Sequence, residues 1–206
     1  MTETQEAVPK HSSDFDRFVE KAEISAAVVS TITSFEQAVN YAVELCLKRP
    51  LNRYAISDEA VDISGLRKVI AAPFLSESEY GLLKERCTEN SIDCIDSGMR
   101  DNFVGVDVGL TYGDLGLAET GTLVLNCPNE ELRLATMLCE FHVCVLPKSK
   151  IFADGYGAEK QLQKFMLESP TYTAFITGPS RTADIERVLS IGVHGPLELH
   201  ILILED

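Results

Sequence analysis

The sequence predicts an α/β protein of three layers: a largely parallel sheet flanked by helices, with further helices at the amino end. Three observations carry that prediction. Short apolar runs alternate with apolar stripes at helical spacing, most clearly after Tyr172. Serine-led capping boxes mark where two helices begin. Strands separated by helices pair in parallel, because a parallel neighbour needs a crossover.

Residues 1–13 have no periodicity and are expected to fray as a disordered tail, leaving 14–206 as a single domain. Phe15, Phe18, Val19, Ala22, Ala26 and Val29 recur at helical spacing and predict one helix from Phe15 to Ile32. Ser34 and Gln37 have the spacing in which a hydroxyl takes an orphan amide and the glutamine returns the bond. Phe35, Ala38, Val39, Ala42 and Cys46 then line a helical face until Pro50 stops it.

Arg67 to Pro73 is short, apolar and ended by proline, the form of a buried strand. Ser76 and Glu79 open a helix whose face is Tyr80, Leu83 and Cys87, and Ile92 to Ile95 is the next strand. From Phe103 to Cys127, glycines and β-branched residues predict short strands joined by tight turns. A helix over Leu132 to Leu138, a strand over Phe141 to Leu146 and a helix over Ala158 to Leu167 follow. The last part reads as strand Tyr172 to Thr177, turn Gly178-Pro179, helix Thr182 to Ser190, turn Gly192 to Pro196 and strand Leu197 to Leu204. In sheets of this kind ligands lie beyond the carboxyl ends of the strands.

Composition narrows the function classes. At 206 residues the chain can bury a core without disulfides or metal. Its 45% hydrophobic and 24% charged residues sit near globular averages. Thirty-two acidic against eighteen basic residues give a net charge of −14, which repels phosphate backbones and anionic lipid, so neither nucleic acid nor membrane is an expected partner. No apolar stretch approaches the roughly 20 residues that span a bilayer. The polar, acidic start has no export pattern, so a cytoplasmic location is expected. The six cysteines (Cys46, Cys87, Cys94, Cys127, Cys139, Cys144) lack the close spacing of metal or cluster ligands and read as reduced, packed thiols. No two histidines have metal-site spacing, and no metal is expected.

Thr177-Gly178-Pro179-Ser180-Arg181-Thr182 falls between a predicted strand and a predicted helix, where free amides and the helix dipole hold a carboxylate or phosphate. Arg181 could add a forked pair of hydrogen bonds to the same anion. The competing reading is that Ser180 or Thr182 only caps the helix, with Asp184 and Glu186 already answering the dipole. A serine-nucleophile elbow fails because Thr182 stands where the second glycine belongs.

Glu119-Thr120-Gly121-Thr122 gathers a carboxylate and hydroxyls beside a glycine, so Glu119 is a candidate base or nucleophile, against the plainer reading of a solvated glutamate at a strand edge. His142 and His200 lie inside apolar strands and read as satisfied core histidines. His194, flanked by loop glycines, is the better catalytic candidate. The dinucleotide fingerprint is absent, since Lys160 stands where Gly155-x-Gly157 would need a third glycine, and there is no phosphate loop.

Two runs, Leu117-Ala118-Glu119-Thr120-Gly121-Thr122-Leu123-Val124-Leu125 and Thr177-Gly178-Pro179-Ser180-Arg181-Thr182-Ala183-Asp184-Ile185-Glu186 continuing to Gly192-Val193-His194-Gly195-Pro196, resemble the signatures of the lactate-utilization (LUD) domain family. They stand in the expected order, and His142 also fits. The resemblance covers Val106 to Glu205 and is closest to the short single-domain members. One departure is Cys139-Glu140-Phe141, where the family commonly has prolines.

The resemblance implies a fold similar to the sugar-phosphate isomerase and coenzyme A transferase superfamily. It also implies a non-redox role in oxidising L-lactate to pyruvate beside iron-sulfur partner proteins, which would hold the clusters while this chain needs no cofactor of its own. The resemblance does not fix which subunit holds the substrate. From the residues themselves, Glu119 and His194 are expected to be catalytic, and Thr120, Gly121, Thr122, Ser180, Arg181 and Thr182 to line a site for a small carboxylate. A stand-alone transferase or isomerase using Glu119 is the alternative. Self-association is left open.

Overall fold

The computed structural model describes residues 13–48, 66–102, 105–167, 172–182, 190–192 and 194–206. Helix α1 (Asp14–Ile24) opens on a reciprocal box: the Ser13 hydroxyl accepts from the Asp16 amide at 3.1 Å and donates to the Asp16 carboxylate at 2.7 Å. Ser13, expected within the tail, thus caps a helix; the rest of the expected tail lies outside the described residues.

The single helix expected from Phe15 to Ile32 is corrected to a helix and a strand. Ser25 caps α1, and Ala26 turns the chain at φ 65°. The chain then enters β1 (Val28–Ile32), whose β-branched run suits an extended backbone better than a helical one. Ala26 and Val29 matched the helical stripe only by spacing.

In α2 (Phe35–Lys48) the Ser34 hydroxyl accepts from the Gln37 amide, while Gln37 returns its bond to Thr33, one residue earlier than the box predicts. Pro50, expected to stop this helix, lies outside the described residues. Strand β2 (Val69–Ala71), helix α3 (Glu77–Glu89) with its Ser76/Glu79 box complete, and strand β3 (Asp93–Ile95) follow as the sequence predicts.

The glycine-rich middle forms β4 (Val106–Tyr112), β5 (Leu115–Leu117) and β6 (Thr122–Cys127). Then come α4 (Glu130–Met137), β7 (Cys139–Pro147), β8 (Ile151–Phe152), α5 (Glu159–Leu167) and β9 (Tyr172–Ile176). Last are β10 (Arg181–Thr182), β11 (Ser190–Ile191) and β12 (Glu198–Leu204).

The helix expected from Thr182 to Ser190 is also corrected at its ends. Thr182 pairs with Ser190 and Arg181 with Ile191 in an antiparallel ladder, so both predicted helix termini are strand. Residues 183–189 lie outside the described residues.

The main sheet has six strands in the order β1-β12-β7-β4-β2-β3, all parallel. A second sheet, β8-β5-β6-β9, pairs mostly antiparallel. Alternate residues of the central strands serve opposite faces, as strand periodicity requires. Phe141, Val143, Val145 and Leu202 pack with Ala38, Val39 and Val43 of α2 and Leu83 of α3. Cys144, Leu146, Ile201 and Ile203 pack with Phe18 and Ala22 of α1 and with Leu123 and Leu125 of the small sheet. Burying a side chain such as Phe18 or Leu83 contributes roughly 1.5–3 kcal/mol. One face of the main sheet is thus covered by α2 and α3, and the other by α1 and the small sheet. Among the described residues no helix is long and apolar enough to cross a membrane.

Candidate functional site

Three segments meet around a hollow of about 290 Å³. The first is β9 with its continuation Thr177–Ser180. The second is His194, Gly195 and Pro196, just before β12. The third is one face of α4, which presents Arg133, Thr136 and Met137 at helical spacing. His142 of β7 and Leu199 of β12 complete the lining.

Backbone bonds hold the two loops together: the Ser180 amide donates to the Pro196 carbonyl at 3.0 Å, and the Gly192 amide donates to the Ser180 carbonyl at 2.9 Å. The Leu197 amide ties the second loop to Glu140 at 2.7 Å. A Cβ on Gly195 would stand 3.0 Å from the Ser180 Cβ, so glycine lets the loops close together.

His142 and Leu199 fall early in β7 and β12, so the hollow lies toward the amino ends of these strands. This is the end opposite the carboxyl ends, where ligands of such sheets are expected. That rule assumes crossover helices on both faces. Here a second sheet covers one face, and the opening forms where its edge strand β9 runs out into Thr177.

Among the described residues Arg133 is the one permanently charged group of the lining. Its Nη2 donates to Glu130 at 2.9 Å, and the guanidinium stands 5.5 Å from the centre of the Tyr172 ring. A hydrogen bond from Arg100, joined by that from Arg133, holds the Glu130 carboxyl below its usual range. The guanidinium has five N–H donors in a plane, the form that grips a carboxylate in a forked pair.

His142 and His200 face opposite sides of the main sheet and differ in kind. His200 is satisfied: its Nδ1 is 2.8 Å from the Tyr41 hydroxyl and its Nε2 is 3.0 Å from Glu198. His142 has Nε2 2.8 Å from the Thr111 hydroxyl, but its Nδ1 has no hydrogen-bond partner among the described residues. Burial, and then the charge of His200, push the His142 pKa down to about 4. The ring is therefore neutral near pH 7.

Ser180 and His194, both expected from the sequence, line this hollow together with Thr177. Glu119, Thr120, Gly121 and Thr122 do not. Glu119 and Thr120 are exposed, and the Glu119 amide donates to Ala153. Gly121, at φ 65°, packs so closely on α1 that an added Cβ would lie 2.3 Å from the Ala22 nitrogen. The two runs touch instead through one pair of hydroxyls, Thr122 and Thr177 at 2.7 Å, with Thr120 2.6 Å from Thr122 within the first run.

Arg181 is also outside the lining. Its guanidinium donates to the Ser25 carbonyl at the end of α1, beside Gly178, and Thr182 sits in the small ladder. The anion site expected from helix amides after Ser180 is thus corrected at its start, because Arg181 and Thr182 are strand. Sequence reasoning missed Arg133 and Thr136 and took His142 for a satisfied core residue. The α4 spacing shows that Arg133 and Thr136 share a face, but only packing shows what that face looks upon. Among the described residues no cluster of three His, Cys, Asp or Glu is arranged to hold a metal.

The LUD domain matches residues 15–204 of the sequence. The chain belongs to the LUD domain family. This LUD domain is 30% identical to lactate utilization protein C of Shouchella clausii over 191 residues, which is 86% of this chain and 76% of that protein. It is 37% identical to lactate utilization protein C of Macrococcus caseolyticus over 103 residues, 48% of this chain and 45% of that one. The chain therefore spans most of the first relative and under half of the second. Its fold is similar to the crystal structure of a DUF162 family protein from Deinococcus radiodurans, with a TM-score of 0.57 at 15% identity, covering 93% of this chain and 96% of that one.

Proposed function

We propose that this LUD domain is a non-redox subunit of a bacterial L-lactate oxidation system, works in the cytoplasm, and binds a small carboxylate in the hollow beside α4. Two relatives that it resembles carry the name lactate utilization protein C, which supports the pathway. The observation that carries the ligand is Arg133, a cation at a hollow whose other polar lining includes Ser180 and His194. Arg133 grips the carboxylate, Ser180 and His194 offer hydrogen bonds, and apolar Leu199 and Ala174 suit a short alkyl group. Iron-sulfur partner proteins carry the electrons, since the role assigned to this chain is to hold and present the acid.

Affinity purification from lactate-grown cells tests the partnership: iron-sulfur proteins are expected to come along, and their absence in repeated preparations overturns it. Titration with L-lactate, followed through backbone amide resonances, tests the ligand. Shifts at Thr177, Ser180 and Gly195 are expected, weakened about tenfold in Arg133→Ala. Equal binding by that variant removes Arg133 from the site.

A further inference from the structure

His142 uses half of its hydrogen-bonding capacity. Buried histidine rings normally spend both nitrogens, as His200 does on the neighbouring strand. On His142 only Nε2 is engaged, by Thr111 at 2.8 Å, while the residue is 1% exposed and lines the hollow. Nδ1 is closed to bulk water and has no partner among the described residues. Leaving a polar atom buried in this way is costly unless something completes it. Because Nδ1 is closed off, a ligand oxygen reaches it only when the lining yields slightly, and there it meets no competing solvent.

The chemistry of the missing partner follows from the ring. A neutral imidazole carries one donor and one acceptor, and the bond to Thr111 decides which role falls to Nδ1. If the threonine hydroxyl donates to Nε2, Nδ1 carries the hydrogen; if Nε2 donates, Nδ1 accepts. A hydroxyl answers both states and a keto oxygen answers the first. A carboxylate is served better by the charge of Arg133.

We propose that His142 Nδ1 hydrogen-bonds the 2-oxygen of the acid in the hollow, so that this residue separates 2-hydroxy and 2-keto acids from short acids that lack that oxygen. This rests on the small-carboxylate reading of the site. His142 is thus a specificity residue on β7, and Thr111 is a positioning residue that fixes its tautomer.

The test compares L-lactate with propionate, which is lactate without its 2-hydroxyl. The full chain, labelled with 15N at its histidine rings, is titrated with each acid while the ring nitrogens and the backbone amides are followed. L-lactate is expected to shift His142 Nδ1 and to bind about tenfold more tightly than propionate, which leaves Nδ1 unmoved. His142→Asn, whose amide reaches the Nδ1 position, is expected to keep the preference. His142→Gln, whose amide reaches the Nε2 position, is expected to lose it.

If both acids shift the amides of Thr177 and Ser180 equally and Nδ1 does not move, the specificity role is overturned while the carboxylate site stands. Preference retained in the Gln variant and lost in the Asn variant also overturns it, because the Thr111 bond would then be what matters. If neither acid perturbs the hollow, the carboxylate reading falls and takes this inference with it. The spectra of the unmodified chain decide between these outcomes even if a variant fails to fold.

Discussion

Replacing His142 by Gln removes a buried titrating group and changes how stability depends on pH. In the folded protein, burial and then the neighbouring His200 lower the His142 pKa from 6.5 to about 4. The unfolded chain therefore binds the proton first as pH falls. Stability contributed by keeping this ring neutral is complete above pH 6.5, declines from there, and is used up by about pH 4. At about 1.4 kcal/mol per pKa unit the whole loss is about 3 kcal/mol, of which about 2 kcal/mol is gone by pH 5. Urea unfolding of the wild type and of His142→Gln, measured in steps from pH 7 to pH 4.5, isolates this contribution as the difference between two profiles. The variant is expected to have the flatter profile, with the gap between the two shrinking by about 2 kcal/mol between pH 7 and pH 5. Parallel profiles would refute the reasoning, since they would mean that His142 takes up its proton as readily when folded as when unfolded.

Gly121→Ala puts a Cβ 2.3 Å from the Ala22 nitrogen at a backbone φ of 65°, so α1 must move; a loss of at least about 2 kcal/mol in urea unfolding is expected, and a neutral result would mean that the turn is not pressed on α1. Tyr41→Phe removes the hydroxyl bonded to His200 and should cost about 1 kcal/mol, read as a lower urea midpoint at unchanged slope. Ser76→Ala breaks a capping box whose Glu79 also accepts from Tyr112, and about 1 kcal/mol of stability should go with it; no change in thermal midpoint would mean that the cap does not hold the start of α3.

The parts of the fold legible in the sequence were those where local signals agree. Ser76 and Glu79 start α3 in sequence and structure alike, and the apolar runs of β2, β7 and β12 are strands because only a two-sided sheet buries every residue of such a run. The stretch after Ala26 was not legible, since Val29 satisfies a helical stripe and a strand equally well, and the pairing of β1 with β12 that decides between them is made 172 residues away, Val28 against His200. Thr182 and Ser190 failed similarly: each suits a helix end, yet they meet each other across a ladder. In the site, Ser180 and His194 were visible because glycine and proline mark their loops. Arg133 and His142 were not, because a helix face and a strand face acquire neighbours only when α4, β7 and the edge of the small sheet come together.

The bond from Arg181 to the Ser25 carbonyl at the end of α1 gives that helix a duty beyond covering the sheet. Gly178 leaves room for the guanidinium to lie against Ser25, so the wall that bears Thr177 and Ser180 is moored to the first helix of the fold. Prying α1 from its berth, by a partner or by mutation at Phe18, would slacken that wall from behind and alter how the hollow grips without touching any residue that lines it.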